Sequence, residues 1–597
     1  MKPERPSARV PWLWAGLLGA VLTVAYWPGL RTPFVFDDLP SLAQNATLAS
    51  LSRAWSPPAG GLTVSGRPLL NFSFALNHAF GGDQVLGYHV ANLAIHFAAA
   101  LLLFGLVRRT LAARPDADWI AGATTLLWAL HPLQTESVTY TVQRAESLAG
   151  LFILATLYAA LRARTSARPR LWATLAVGAS CAGAATKETA VVAPLLILLY
   201  DRTFADGSFV AAIAARRRFY LGLLSSWVLL AALVVSAHSR GGTAGTAGPV
   251  SSGQYAALQL SAIAHYVRLV FWPSPLAFDY GPFQSVDVAA VLPGAIFTVG
   301  AIAATGWLLW RRPPLGFLGA SYFILLAPSS SVVPVVTQVA AEHRVYLALA
   351  PLLLAIVLAG ARWLPRPVAL VAAAVAALAC ARLTWQRNRV YATPIGLWSD
   401  AAAACPTNPR AHLNLGEQLA RTGRTREAIA CFESALQLQP NYVTALYDLG
   451  TALISDRRPR DAIAPLRHAL DLEPDHAEAA YNLGNAHAAL GEHTDAVRAF
   501  TWSLRTRPDR AAAHFNLANS LLALDRLPAA IDHLRRAVAL APDHADAHFN
   551  LANALFQSGH PELAIPEYEA VLRLNPSDAD AATNLRLARA SARENPR

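Results

Sequence analysis

Two adjacent carboxylates, Asp37 and Asp38, follow the first apolar stretch of the chain within the segment Phe34-Val-Phe-Asp-Asp-Leu39. Such a pair suits one of two tasks. One acid acts as general base while its neighbour positions it, or both hold a divalent cation. An isolated Asp-Asp is more often a solvated turn, so its company matters. His131, Glu136, Arg144 and Glu146 follow, then Lys187 and Glu188, then Glu342, His343 and Arg344, each group beside or within apolar sequence. Charges placed there are costly and tend to mark function. Acids, bases and cations gathered on one surface could move a proton and stabilise developing negative charge.

The elements that must position these residues are membrane spans. Of the 597 residues, 54% are hydrophobic and only 15% charged, against about 25% charged in soluble domains. Apolar runs lie at 11–30, 86–107, 119–135, 144–161, 171–185, 188–200, 219–237, 290–309, 315–334, 344–361 and 367–384. Each approaches the ~20 residues a helix needs to cross. The formal charge of +11 resides largely in arginine clusters between these runs, such as Arg108/Arg109 and Arg216/Arg217/Arg218. That distribution orients spans and argues against a nucleic-acid surface. With the arginine loops cytoplasmic, the N-terminus is cytoplasmic and about 11 crossings leave the C-terminus outside. The count requires Tyr255–Trp272 to lie in the interface or re-enter, or to cross together with a second missed span. The candidate residues then share the outer face. His89, Asn92 and His96 share one face of a span. They either line a ligand pocket or satisfy one another between packed helices. The four cysteines show no metal-ligand spacing, and no metal is assigned.

After residue 400 the pattern changes. Pro406, Pro440, Pro474, Pro508, Pro542 and Pro576 recur every 34 residues. Leu-Gly or Leu-Ala pairs recur with them, as do Ala428, Ala462, Ala496, Ala530 and Ala564, and the large residues Phe432, Leu466, Phe500, Leu534 and Tyr568. The period is that of the tetratricopeptide repeat, five copies with 577–593 as a polar capping helix. On the first helix of each repeat stand Asn414, Asp448, Asn482, Asn516 and Asn550, and one turn later Glu417, Thr451, Asn485, Asn519 and Asn553. A double amide row offers donors and acceptors to an extended peptide backbone; the plainer alternative is consensus filler. The expected architecture is all-α: a polytopic helical bundle over 1–390, a linker over 391–405 and a repeat solenoid over 406–597.

The segments Gly66-Arg67-Pro-Leu-Leu-Asn71, Gly87–His96, His131–Glu136, Arg144-Ala-Glu146, Lys187-Glu188-Thr189, Trp272–Asp279 and Glu342–Tyr346, in this order and joined to the repeats, resemble the transmembrane and tetratricopeptide-repeat-containing protein O-mannosyltransferases. The resemblance implies a GT-C-type glycosyltransferase using a polyprenyl-phosphate sugar, with an acidic pair in the first outer loop as its catalytic signature. Asp37 and Asp38 match that pair by position. Asp37 is then the base and Asp38 the residue that orients it, or the reverse. Arg144, Lys187, His343 and Arg344 would receive the departing phosphate, with Arg67, His89, His131, Glu136, Glu146, Glu188 and Glu342 as further site candidates. No metal is needed in principle, though a cation held by the aspartates stays open. The competing reading is a membrane-anchored scaffold whose repeats bind a partner without catalysis.

Overall fold

A computed structural model describes residues 9–60, 62–236, 251–281, 288–330, 334–335 and 338–594. It divides into two compact units, Met1–Asn408 and Pro409–Arg597. The elements of both are helical.

The first unit contains α1 (Arg9–Tyr26), α2 (Pro68–Gly81), α3 (Val85–Thr110), α4 (Ala117–Leu130), the short α5 (Thr135–Thr139), α6 (Arg144–Thr165), α7 (Pro169–Thr186) and α8 (Ala193–Asp201). These are followed by α9 (Phe209–Ala215), α10 (Arg217–Ser236), α11 (Ser252–Phe271), α12 (Val288–Arg311), α13 (Pro313–Leu326), α14 (Leu349–Trp363), α15 (Arg366–Tyr391) and α16 (Pro394–Ala404). Among the described residues six helices are long and apolar enough to cross a membrane, in α1, α3, α6, α10, α12 and α15. The other expected spans are helices too, but shorter or less apolar. Several begin with proline in the first turn, as at Pro68, Pro169 and Pro313, where the missing N–H costs no helical bond.

Small residues let these helices close up. A methyl group on Gly122 of α4 would meet the Trp14 ring at 2.3 Å, and one on Gly150 of α6 would meet Tyr346 at 2.7 Å. Apolar burial supplies little drive between spans in lipid, so such close approach carries the packing.

Two segments differ from what the sequence suggests. The segment after α1, which carries the expected first outer loop, is a compact cap. Leu42, Leu48, Val64, Leu70 and Phe74 form its own core, against Tyr88 and Ala145. Residues 255–271, expected to lie in the interface or re-enter, or to cross with a second missed span, belong to the unbroken α11, which packs along α12; its Tyr255 bonds Ser329 O and Arg344 and its Val270 O meets His131, so both of its ends stand at the end of the bundle that holds the candidate residues. The expected linker over 391–405 is largely α16. Thr393 Oγ1 accepts from Gly396 N and caps it, and buried Leu397, Trp398 and Ala401 hold it inside the first unit.

The arginine-rich turns gather at one end of the bundle. There Arg164 and Arg216 pair with Asp201 at 2.8 and 3.0 Å. The opposite end collects the C-termini of α1, α4, α7 and α15 and the N-termini of α3, α6 and α14.

The second unit stacks helix pairs. They are α17 (Pro409–Arg421) with α18 (Thr425–Leu438), α19 (Val443–Ser455) with α20 (Pro459–Leu472), and α21 (Ala477–Ala489) with α22 (His493–Thr506). α23 (Ala511–Ala523) with α24 (Leu527–Leu540) and α25 (Ala545–Gln557) with α26 (Pro561–Leu574) follow, and α27 (Ala579–Glu594) closes the stack. The repeating Leu-Gly pairs have a direct cause. A methyl group on Gly416, Gly450 or Gly484 would lie 2.4–2.5 Å from Phe432, Leu466 or Phe500, the large residue of the paired helix. Each recurring proline stands two residues beyond its helix, where it ends the hydrogen-bond ladder.

Candidate functional site

The turn carrying the two aspartates is built by main-chain bonding to Asp38. Its carboxylate accepts from Val35 N at 3.2 Å and from Val142 N at 2.7 Å. Asp38 is buried, which pushes its pKa well up, while the bonds from Val35 and Val142 pull the other way. Both oxygens are thus committed to protein N–H groups, and the side chain ties the first loop to the start of α6. Asp37 is half-buried, and its main-chain N–H donates to the Tyr140 hydroxyl at 2.9 Å.

A network of acids and cations lies at the same end. Lys187 Nζ meets Glu146 Oε1 at 2.6 Å, and Arg67 forks onto Glu188 with Nη2 at 3.0 and 3.1 Å from its oxygens. Glu136 Oε1 lies 2.7 Å from His343 Nδ1, and Glu136 Oε2 accepts from His343 N at 2.9 Å. Burial pushes Glu136 up and His343 down to about 3, with Lys187 adding to the latter. Burial thus works against the charged form of both partners. Burial also raises Glu342, whose Oε1 accepts from Ala277 N at 2.6 Å and from Tyr280 at 3.3 Å. Lys187 is lowered by burial and raised by Glu146.

Four candidates take other roles. Arg144 is buried and donates to Asn92 Oδ1 at 2.5 Å, Ser73 O at 3.0 Å and Tyr88 O at 3.0 Å, and lies over the Phe74 ring. Through these bonds it joins α2, α3 and α6. Arg344 is largely spent on Tyr255 and on the carbonyls of Gln338 and Val339. His131 caps the turn after α4 and reaches Val270 O at 3.1 Å. His89 meets Thr32 O at 2.8 Å. Of its face-sharing neighbours, His96 bridges Tyr346 and Ala129 O, and Asn92 bonds Val138 O and Thr141 O. His96 and Asn92 are thus tied to neighbouring elements, whereas the Nδ1 of His89 is buried without a hydrogen-bond partner.

The structure adds residues that sequence reasoning missed. Arg387, at the end of α15, pairs with Asp400 of α16. Beside Asp37, the Phe36 ring meets Phe278 and Trp398, and Phe278 also meets Tyr140 and Tyr391. Arg387 could have been noticed as a cation closing an apolar run. Nothing local marks Trp398.

In the second unit the double amide row is a ladder. Asn482 donates to Thr451 Oγ1, Asn516 to Asn485, Asn550 to Asn519 and Asn584 to Asn553, at 2.8–3.2 Å. Every rung spans 31 residues, one residue of each repeat reaching the next. Asn414 instead bonds its own helix at Arg410 O. The first rung falls on Glu417 and Asp448. Burial raises both, and Glu417 raises Asp448 further, to about 7.

A bundle with membrane-crossing helices followed by a repeat solenoid defines a multi-spanning membrane protein of the tetratricopeptide-repeat class. Tetratricopeptide-repeat family models match 408–472 and, in overlapping copies, 447–595. Protein O-mannosyl-transferase F38B6.6 of Caenorhabditis elegans is 27% identical over 450 residues, 71% of this chain and 63% of that protein. Protein O-mannosyl-transferase Tmtc1 of Drosophila melanogaster is 32% identical over 333 residues, 50% of this chain and 38% of that one. Human TMTC2, of the same name, is 34% identical over 203 residues, 31% of this chain and 24% of that one. The chain is thus similar to proteins named protein O-mannosyl-transferases, and it spans less than two thirds of the length of each of these three. Among solved structures, the crystal structure of MamA aligns with 28% of this chain and 97% of its own at 23% identity, with a TM-score of 0.27.

Proposed function

We propose that the chain is a membrane glycosyltransferase that moves a sugar from a polyprenyl phosphate to serine or threonine hydroxyls of exported proteins. The relatives' names support mannose as the sugar. The observation that carries the reading is the contrast within the aspartate pair. Asp38 is buried and bonded to the main chain on both sides, while Asp37 is half-buried beside it. This division suits Asp37 as the base that takes the hydroxyl proton and Asp38 as the residue that fixes its turn. Attack opposite the leaving phosphate inverts the anomeric carbon. Lys187 and Arg67, at the same end of the bundle, would stabilise the charge gained by that phosphate by exchanging their Glu146 and Glu188 partners for it.

A second observation supports an amphiphilic donor. An apolar cavity of about 160 Å³ lies among α3, α6, α8, α13 and α14, lined by residues such as Leu103, Leu154 and Phe317. Its Leu325 and Leu347 also line a small chamber bearing Glu146 and Arg344. A tail in the first would set a polar head near the second.

The arginine distribution supports an N-terminus in the cytoplasm of a cytoplasmic-membrane protein with the solenoid outside, where its groove would take acceptor or partner proteins. No metal is assigned to the reaction. The test is transfer in membranes from a polyprenyl-phosphate sugar to a serine/threonine peptide. Asp37→Asn should lower the rate about 10²–10⁴-fold with normal membrane insertion. Undiminished transfer would leave the scaffold reading.

A further inference from the structure

Phe36, the residue before Asp37, has φ +48°. A left-handed backbone is uncommon outside glycine, and at a bulky residue it is an outlier that persists only where the surroundings over-determine it. Glycine or asparagine would adopt it more readily. The chain uses phenylalanine, whose ring is a handle.

The surroundings hold that handle from distant segments. The Phe36 ring meets Trp398 edge-on at 5.5 Å and Phe278 at 6.4 Å. Phe278 in turn meets Trp398 at 5.3 Å, Tyr391 at 5.9 Å and Tyr140 at 5.0 Å, all edge-to-face. Edge-to-face pairs are directional, so this lattice fixes ring angles as well as filling space. Tyr140 closes the circuit, because its hydroxyl accepts the N–H of Asp37. Asp38 clamps Val35 and Val142 on either side. The lattice depends on α16, which the Arg387–Asp400 pair ties to α15.

We infer that Trp398 and Phe278 are positioning residues for the transfer reaction: their rings hold Phe36 in its left-handed conformation and so aim the Asp37 carboxylate. The helix leading out of the bundle is then part of the catalytic unit. The inference rests on the reading of Asp37 as base.

The experiment compares Asp37→Asn, Trp398→Ala, Trp398→Phe and Phe36→Asn in the full-length chain, with kcat and acceptor KM measured separately and thermal midpoints recorded. A misaimed base lowers kcat while leaving ground-state binding in place, and small misplacements cost about 10²-fold. Trp398→Ala should therefore lose about 10–10²-fold in kcat with KM nearly unchanged, and Phe36→Asn, which takes the left-handed backbone without the rings' support, should lose less. Trp398→Phe, which retains an aromatic edge, should recover most of it. Phe36→Asn guards against a folding artefact, since asparagine accepts the backbone conformation and removes only the ring. Loss of transfer in Asp37→Asn together with undiminished kcat in both Trp398→Ala and Phe36→Asn would overturn the inference. Full transfer in Asp37→Asn would remove the catalytic reading and this inference with it.

Discussion

The two units use polar side chains in opposite ways. In the solenoid each amide rung joins residues 31 apart. Because the unit repeats every 34 residues, one bonding rule written once is copied along the stack. In the membrane unit the polar contacts that shape the site join residues 103 apart at Asp37–Tyr140, 207 apart at Glu136–His343 and 249 apart at Thr139–Asn388. None is copied elsewhere. Periodic contacts show themselves in a single sequence, whereas unique long-range contacts leave no local trace. The same side-chain type therefore reads differently in the two units. A buried arginine such as Arg144 acts as a three-way tie where the chain folds only once, while a concave row of asparagines forms a seam where it folds repeatedly.

This contrast can be broken from either side. The largest effect is expected at Arg144. Arg144→Met strands Asn92 Oδ1 and two carbonyls in a buried site and should destabilise the bundle by about 3 kcal/mol or more, read as loss of folded protein in detergent. A stable variant with only weakened donor affinity would restore Arg144 as a phosphate ligand. Gly484→Ala should cost the solenoid about 1–3 kcal/mol by driving a methyl group against Phe500, measured by thermal or urea unfolding of the full chain. A neutral result would mean that the repeat tolerates the bulk that its own Leu-Ala copies carry.

The smallest effect is the sharpest. Asp448→Asn converts the one acidic rung into an amide rung of the kind found further along, and should stabilise the solenoid by about 0.5–1.5 kcal/mol above neutral pH. Asp448 is raised to about 7 by burial and by Glu417, and Glu417 is raised as well. The folded state therefore holds protons that the unfolded state releases near pH 4. The rung's contribution is present below that value and lost as pH rises toward 7. The advantage of the asparagine variant should accordingly grow from pH 4 to pH 7 and then level off. An advantage that shrinks over this range would show that the two carboxyls do not face each other.

Much of the architecture was legible beforehand because its causes are local. Apolar run length sets a helix in lipid, and the 34-residue recurrence of proline, glycine and large residues sets the helix pairs. The gathering of acids and cations at one end followed from counting arginine loops. What was not legible is what each group touches. The spacing that offered Arg144 and Arg344 as phosphate ligands could not reveal that carbonyls consume them. The polarity of the segment after α1 concealed a small core of Leu42, Leu48 and Phe74. The stretch 391–405 looked like a tether because its helix is short.

The sequence alone determined an all-helical membrane bundle, a five-repeat solenoid and the place of Asp37 and Asp38 just after the first span, because length, hydropathy and period are properties of neighbouring residues. Only the tertiary structure decided that Asp38 is clamped while Asp37 is half-buried, that the amide row is a seam, and that Trp398 and Phe278 surround Phe36. Those outcomes depend on which distant segments meet, and packing settles that for the whole unit at once.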